Sequence, residues 1–234
     1  MYYEPGVTPH GLPFNPFKSC VVPRPIGWIS TTSREGADNL APFSQFQMLS
    51  YDPPTVMFSS NQNLHGARKD TVVNIEHTGE FVWNMATWTL RDAVNLSSEE
   101  LAHGRDEFAH AKLDKASSRL VRPPRVAASP IQFECRHLQT VRLPGNSVLG
   151  TVDVVFGRVV AIHIDDRFIG KDGRIDILGI RPLARVGYHD YTTVDSVFTM
   201  SPAGSPVRLA GLEGSPEKMT DALQQIAAAR KTPG

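Results

Sequence analysis

The stretch from Val152 to Ile164 constrains the fold of this chain more than any other segment of its 234 residues. Its apolar side chains alternate with other residues, and only Arg158 interrupts the alternation. A period of two is typical of an antiparallel strand with one apolar face. The pattern therefore predicts a long, half-buried antiparallel strand whose apolar row faces the core. That row consists of Val152, Val154, Phe156, Val160, Ile162 and Ile164.

Other segments rich in β-forming residues indicate further strands. One short helix is predicted to begin at Asp70, with Asp70 or Thr71 as its cap, and to end at Gly79. Strands and helices do not alternate regularly, which argues against a parallel Rossmann sheet. The predicted fold class is mainly β, a closed or partly closed antiparallel barrel with short flanking helices. The further strands are predicted at Ile26–Thr32, Ala41–Ser50, Thr55–Ser60, Glu80–Ala86, Ile131–Leu143 and Ile177–Ala184.

The chain is predicted to form one main domain with an extension at each end. Residues 1–19 contain four prolines, so we expect an extended arm there. The main domain spans residues 20–200 and includes a helical and loop insertion at 97–130. Residues 201–234 are predicted to form a linker and a C-terminal helix, which begins at Ser215 with Pro216 in its first turn.

Composition excludes several classes of function. The 24 basic and 24 acidic side chains give no net charge, which is unfavourable for binding nucleic acid. Cys20 and Cys135 lack metal-ligand spacing, so we predict no metal site and expect reduced thiols in a cytoplasmic protein. Neither a signal peptide nor a membrane-spanning apolar run is indicated. The Rossmann, P-loop, zinc-protease and esterase motifs are absent. We therefore expect small-molecule partners or a second copy of the chain.

Three segments carry the polar groups that a ligand site needs. The first, Pro23–Ser33, ends in a run of hydroxyls. The second, Asn39–Ser44, contains Pro42, which cannot donate to a β-ladder and favours a strand edge. The third, Ser59–Asn74, includes Arg68–Thr71, which enters a helix whose N-terminus can bind an anion. From the residues alone, each segment also fits a simpler interpretation: a turn, a strand broken for packing reasons, and a capped surface helix.

The order of these segments resembles that of the flavin reductase-like, FMN-binding family, in which we include flavoredoxin-like members. The resemblance begins at Asn15 and rests on NPFKSCVVPRPIGWISTTS, NLAPFSQFQMLSYDPPTVMFS and KDTVVNIEHTGEFVWNMA. It continues from Asp165 to Met200 in DDRFIGKDGRIDILGIRPLARVGYHDYTTVDSVFTM. Residues 97–130 and 201–234 match the family less closely.

The resemblance implies a split β-barrel that binds FMN non-covalently, usually as a homodimer. The hydroxyl run would lie by the flavin phosphate or ribityl chain, the second segment along the isoalloxazine ring, and the third at the phosphate. The implied cofactor-binding residues are Thr31, Thr32, Ser33, Asn39, Leu40, Ala41, Pro42, Phe43, Ser44, Ser59, Ser60, Lys69, Asp70 and Thr71.

The resemblance further implies an FMN-dependent oxidoreductase, with NADH or NADPH as the reductant and a flavin, quinone or other small aromatic acceptor. His189 is the predicted catalytic residue, because an imidazole pKa lies near neutrality. A purely structural role for His189 is an equal alternative. Two other functions stay open, a flavoredoxin-like electron carrier and a flavin-free binding module on the same barrel.

Overall fold

The computed structural model describes residues 1–102 and 104–200, together with six residues near the C-terminus. The chain divides into two units, Met1–Asp195 and Ser196–Gly234. The domain boundaries predicted at residues 19 and 200 stay predictions. The helix predicted from Ser215 falls mainly outside the described residues, and the six that are described there are helical. They are Thr220, Asp221, Leu223, Gln224, Ala227 and Ala228.

The described part of the chain is built mainly from β-strands. No helix in it is long and apolar enough to cross a bilayer. The strands are β1 (Arg24–Pro25), β2 (Gly27–Thr32), β3 (Asp38–Phe43), β4 (Phe46–Tyr51), β5 (Pro54–Asn61), β6 (Glu80–Asn84), β7 (Lys115–Ala116), β8 (Arg125–Val126), β9 (Ile131–Leu143), β10 (Val152–Ile164), β11 (Leu183–Gly187) and β12 (Asp190–Thr193). The α-helices are α1 (Asp70–Thr78), α2 (Arg91–Leu96), α3 (Glu107–His110) and α4 (Ile177–Ile180).

The largest sheet closes on itself. Its seven strands run in the order β3-β2-β6-β9-β10-β5-β4, all antiparallel. The edge strands β3 and β4 are separated in sequence only by Ser44 and Gln45. A flat seven-stranded sheet would hold its edges about 29 Å apart, whereas the connection spans about 11 Å at most. The sheet therefore curls until its edges adjoin, which gives a barrel split between β3 and β4.

The face of β10 that points inward is the reverse of the prediction. The strand has the predicted bounds, but its fully buried positions include Asp153 and Val155, whereas Ile162 is 52% exposed. Gly157 also points inward, and a Cβ there would fall 2.3 Å from Cζ of Phe81. Small side chains thus face the crowded interior, and the longer apolar row lies on the outer surface of the barrel.

Three local predictions are also wrong. The predicted strand Ala41–Ser50 is two strands, because the chain turns at Ser44 and Gln45 to pass from one sheet edge to the other. The predicted strand Ile177–Ala184 begins instead as α4, which Asp176 caps through its side chain. Helix α1 starts after Lys69, which makes no side-chain capping bond, so neither Asp70 nor Thr71 is the cap. Its C-terminal residue is followed by Gly79 at φ 73°, as predicted.

Two hydrophobic clusters stabilise the fold, and the second one positions the edge strand β3. The first contains Phe58, Phe81 and Val155 and fills the barrel. The second contains Leu40 of β3 together with Phe108 of α3. Because burial of these side chains is favourable only when both elements are in place, α3 is held against β3.

Candidate functional site

A cavity of about 340 Å³ opens between β3, the start of α1 and the segment 97–102. Its volume lies within the range of about 300 to 1,000 Å³ that is typical of small-molecule sites. The structure thus joins the second and third predicted segments in one cavity. The predicted residues that line it are Asn39, Ala41, Pro42, Lys69, Asp70 and Thr71.

The open edge of β3 forms one wall of this cavity. The N–H of Leu40 donates to Oε2 of Glu107 at 3.0 Å, so it points away from β2. Residues two apart on an antiparallel strand turn their backbone groups the same way. The carbonyl of Pro42 therefore also lies on the open edge, where proline supplies no N–H. Pro42 lies on an edge strand, as predicted.

Asn39 is the centre of a partly buried hydrogen-bond network. Its Oδ1 accepts from Thr71 Oγ1 at 2.7 Å and from Thr31 Oγ1 at 3.3 Å. Its Nδ2 donates to Glu107 Oε2 at 3.1 Å. Asn74 of α1 donates to Thr31 Oγ1 at 3.1 Å. Residues from all three predicted segments therefore meet in this network: Thr31, Asn39, and Thr71 with Asn74.

Two cations flank the start of α1, and they differ in how well their charge is balanced. Arg68 binds both carboxylate oxygens of Glu76 at 2.6 Å and Asp153 at 3.0 Å. The hydrogen bond with Glu76 is the main cause of a raised pKa for Arg68. Among the described residues, the ion pair of Lys69 is a distant one, 3.9 Å from Nζ to Oε1 of Glu100. Lys69 and the first amides of α1 are thus the groups best placed to bind an anion.

Four other predicted residues lie at or behind the wall of the cavity. Ser33 lines a small adjoining cavity, and its Oγ accepts from Ala37 N–H at 3.2 Å. Thr32 donates to Asp38 Oδ1 at 2.7 Å. Leu40 and Phe43 are buried in the two hydrophobic clusters, so their side chains are not accessible to a ligand.

The remaining predicted residues are not among those that line the cavity. The carbonyl of Ser44 accepts from Arg24 Nε at 3.2 Å, and the N–H of Ser59 donates to Gln45 O at 2.9 Å. Ser60 is 1% exposed. His189 is exposed in the turn between β11 and β12, which belong to the three-stranded sheet β1-β11-β12. Within the described residues, the structure does not bring these four together with Asn39 and Lys69.

Sequence reasoning assigned no role to several residues of the cavity wall. The most important is Glu107, whose carboxylate is buried and whose pKa is raised by that burial. Its sequence signal is only that of an acidic residue in the first turn of a helix, which is common in helices without a functional site. Asn63, His65 and the segment 97–102 also line the cavity.

Comparison with known proteins agrees with this geometry. The model of a family described as "Flavin reductase like domain" matches residues 19–177. The chain belongs to this family. An uncharacterized protein of Aquifex aeolicus is 34% identical to this flavin reductase-like protein over 167 residues, which are 71% of this chain and 82% of the relative. Family membership supports a flavin as the cofactor and oxidoreductase chemistry as the activity.

Solved structures confirm the split barrel of this flavin reductase-like protein. Nitrilotriacetate monooxygenase component B from Bacillus cereus is 28% identical with a TM-score of 0.78, over 86% of this chain and 98% of that chain. The 2-nitrobenzoate 2-nitroreductase NbaA of Pseudomonas fluorescens is 26% identical with a TM-score of 0.69, over 81% and 90%. A flavoredoxin of Desulfovibrio vulgaris, 16% identical with a TM-score of 0.65 over 80% and 93%, shares the fold.

Proposed function

We propose that this protein binds FMN non-covalently and acts as an NAD(P)H-dependent oxidoreductase, passing a hydride to the flavin and electrons on to a small acceptor. The observation that carries the proposal is the cavity in which the open edge of β3 meets Lys69 and the start of α1. Two proteins similar to this chain are named as a monooxygenase component and a nitroreductase, which supports redox chemistry on a small acceptor.

The residues of the cavity fit the two ends of FMN. Lys69, Thr71 and the first amides of α1 would hold the phosphate, because a helix N-terminus and an ammonium group both favour an anion. The backbone carbonyl of Pro42, on the open edge of β3, would meet the polar edge of the ring. Thr31 would stay within the Asn39 network that positions this wall. When bound, the flavin supplies the hydride-accepting chemistry, and the protein binds and orients it.

We further propose a homodimer that uses the outer face of β5, β9 and β10. Phe156 pairs with Met57 and Gln139, and Val154 pairs with Val141, so the apolar row of β10 continues across neighbouring strands. Apolar surface of this extent is favourable to bury against a second copy. His189 is absent from the cavity lining of its own chain, so its proposed catalytic role requires contact through a second subunit or a bound substrate.

Oligomeric state tests the dimer. Val154→Glu places a charge within the outer apolar row, and sedimentation velocity should then show a monomer. Leu178→Glu, which changes a 43% exposed leucine of α4, is the matched control and should leave the dimer intact. A monomeric wild-type protein, or a dimeric Val154→Glu protein, would contradict the proposed interface.

Absorption spectroscopy tests the activity. Titration of the protein with FMN should give a perturbed flavin spectrum, and NADH or NADPH should bleach it anaerobically. An FMN-loaded protein that is bleached only through a partner reductase would be an electron carrier instead. A protein that takes up no FMN would overturn both functions and favour a flavin-free binding module.

Loss of the anion-binding groups tests the orientation of the cofactor. Lys69→Ala with Thr71→Ala should weaken FMN binding about a hundredfold or more, because two charge-assisted hydrogen bonds of about 1.5–3 kcal/mol each would be lost. Riboflavin, which lacks the phosphate, should lose much less affinity. The exposed Lys171→Ala variant is the control. Unchanged FMN affinity in a folded double variant would reject the phosphate assignment.

A further inference from the structure

The cavity proposed to bind FMN is acidic, although FMN carries a phosphate. Its lining contains two cations, Arg68 and Lys69, and four carboxylates. Arg68 is already balanced by Glu76 and Asp153, neither of which lines the cavity. Among the described residues, a phosphorylated ligand would therefore share the cavity with more carboxylates than cations. The four carboxylates are those of Asp70, Glu99, Glu100 and Glu107.

Glu107 is the most buried of these carboxylates. The residue is 8% exposed, whereas the side chain of Glu99 is 60% exposed and that of Glu100 is 44% exposed. Solvent screens the exposed carboxylates, but a buried charge keeps most of its repulsion for a second anion. Burial also raises the pKa of Glu107. Glu107 is thus the carboxylate of this lining whose charge solvent screens least.

The hydrogen bonds of Glu107 permit protonation without a structural change. Asn39 Nδ2 and the Leu40 N–H both donate to the same oxygen, Oε2, at 3.1 and 3.0 Å. A proton on Oε1 leaves both lone pairs of Oε2 available as acceptors. The neutral acid can therefore hold the wall formed by β3 as the carboxylate does, while its repulsion of an anion is removed.

Other charged groups surround the Glu107 carboxyl and also influence its affinity for a proton. On its own helix, Asp106 lies next to it and raises its pKa slightly. Lys115 of β7 is already paired with Asp38 and Asp106 at 2.7 Å each. The described titratable and charged groups around it are Asp38, His65, Arg68, Lys69, Asp70, Glu99, Glu100, Arg105, Asp106, His110 and Lys115.

We propose that Glu107 is a positioning residue of the cofactor site, which holds Asn39 and Leu40 in place and takes up a proton from solvent when a phosphorylated flavin binds. This inference rests on the proposed FMN function. Because binding raises the proton affinity of Glu107, FMN affinity is highest below the pKa of the free protein. It falls as pH rises through the pKa of the complex, by up to about tenfold per pH unit.

Calorimetry of the FMN-free protein measures the proton directly. FMN is titrated between pH 6 and 8 in two buffers of different ionisation enthalpy, and the difference in heat gives the protons taken up. Wild-type protein should take up more protons per FMN than Glu107→Gln, whose carboxamide oxygen can still accept from Asn39 and Leu40. The protonation of the bound FMN phosphate is measured separately in each protein by ³¹P NMR and subtracted. Riboflavin should show a smaller difference between the two proteins.

Three results would contradict the inference. Equal proton uptake by wild type and Glu107→Gln, with FMN bound to both, would overturn it and leave the proposed function intact. FMN affinity that follows the same pH profile in both proteins would do the same. A wild-type protein that binds no FMN would overturn the proposed function and this inference together. Glu107→Ala, which removes both acceptor bonds, should weaken FMN and riboflavin alike.

Discussion

Two buried carboxyl groups of this protein, those of Glu134 and Glu107, have pKa values that are shifted in opposite directions. Glu134 of β9 is fully buried and accepts from the N–H groups of Arg119 at 2.8 Å and Leu120 at 2.6 Å, and His163 Nε2 lies 2.6 Å from its Oε1. Burial opposes its ionisation, but these donors outweigh burial and lower its pKa. In Glu107 burial dominates over the longer hydrogen bonds and raises the pKa.

The difference shows that the number and strength of hydrogen-bond donors determine whether a buried carboxyl group is stable in its ionised form. Glu134 meets short donors on both oxygens and a partner that can carry positive charge, so the ionised form is stable and the loop at 119–120 is held to the barrel. Among the described residues, the donors to Glu107 are the neutral groups of Asn39, Leu40 and its own backbone N–H, and its carboxyl faces a cavity. The first is suited to a permanent structural role, and the second to a change of charge when a ligand arrives.

The largest expected effect is that of Glu134→Gln. The amide NH₂ would face a backbone N–H, so a buried donor would lose its acceptor, and we expect a loss of about 3 kcal/mol in the free energy of unfolding at pH 7. Because the folded pKa is lowered, this contribution is present above the unfolded value of about 4.3 and is lost as pH falls through the folded pKa. Urea unfolding at several pH values measures it.

An exposed carboxylate provides the control for this measurement. The side chain of Asp92 is 85% exposed, and Asp92→Asn should change the free energy of unfolding by less than about 0.5 kcal/mol. If Glu134→Gln were as stable as Asp92→Asn at pH 7, the contrast between the two buried carboxylates would be lost.

An intermediate effect is expected from His163→Leu. Glu134 would keep its two backbone donors but lose the contact with His163, so we expect a loss of about 1–2 kcal/mol. The side chain of His163 is 16% exposed, so a leucine of similar size can occupy its place. A double-mutant cycle with Glu134→Gln isolates the coupling between the two residues. Additive losses would mean that His163 does not help to ionise Glu134.

The long strands of the barrel could be predicted from sequence, but the direction of their side chains could not. The bounds of β9 and β10 agree with the alternation of apolar residues, which is a local property of the chain. Which row of β10 faces inward depends on Phe81 of β6, which leaves room only for Gly157. That contact exists only after the sheet has closed, so the longer apolar row was assigned to the wrong face.

The candidate site likewise contains residues that could be predicted from sequence and residues that could not. Asn39, Pro42 and Lys69 line one cavity. They could be predicted from sequence because each belongs to a segment with recognisable polar residues or a recognisable helix start. Glu107 reaches Asn39 across 68 positions, and packing of Phe108 with Leu40 brings α3 to β3. No periodicity or spacing marks such a long-range contact in a single sequence.

The smallest expected effect has the opposite sign and belongs to Glu107→Gln. Burial raises the pKa of the wild-type carboxyl, so its ionised form is held at a cost, whereas the carboxamide is neutral and can keep both acceptor bonds. We expect Glu107→Gln to be more stable than wild type by up to about 1 kcal/mol at pH 8. The cost is present above the folded pKa and disappears as pH falls toward the unfolded pKa, so the two proteins should converge near pH 4. Urea unfolding at pH 8 and pH 4 measures both values. A Glu107→Gln protein that is less stable at pH 8 would mean that Glu107 is held as Glu134 is.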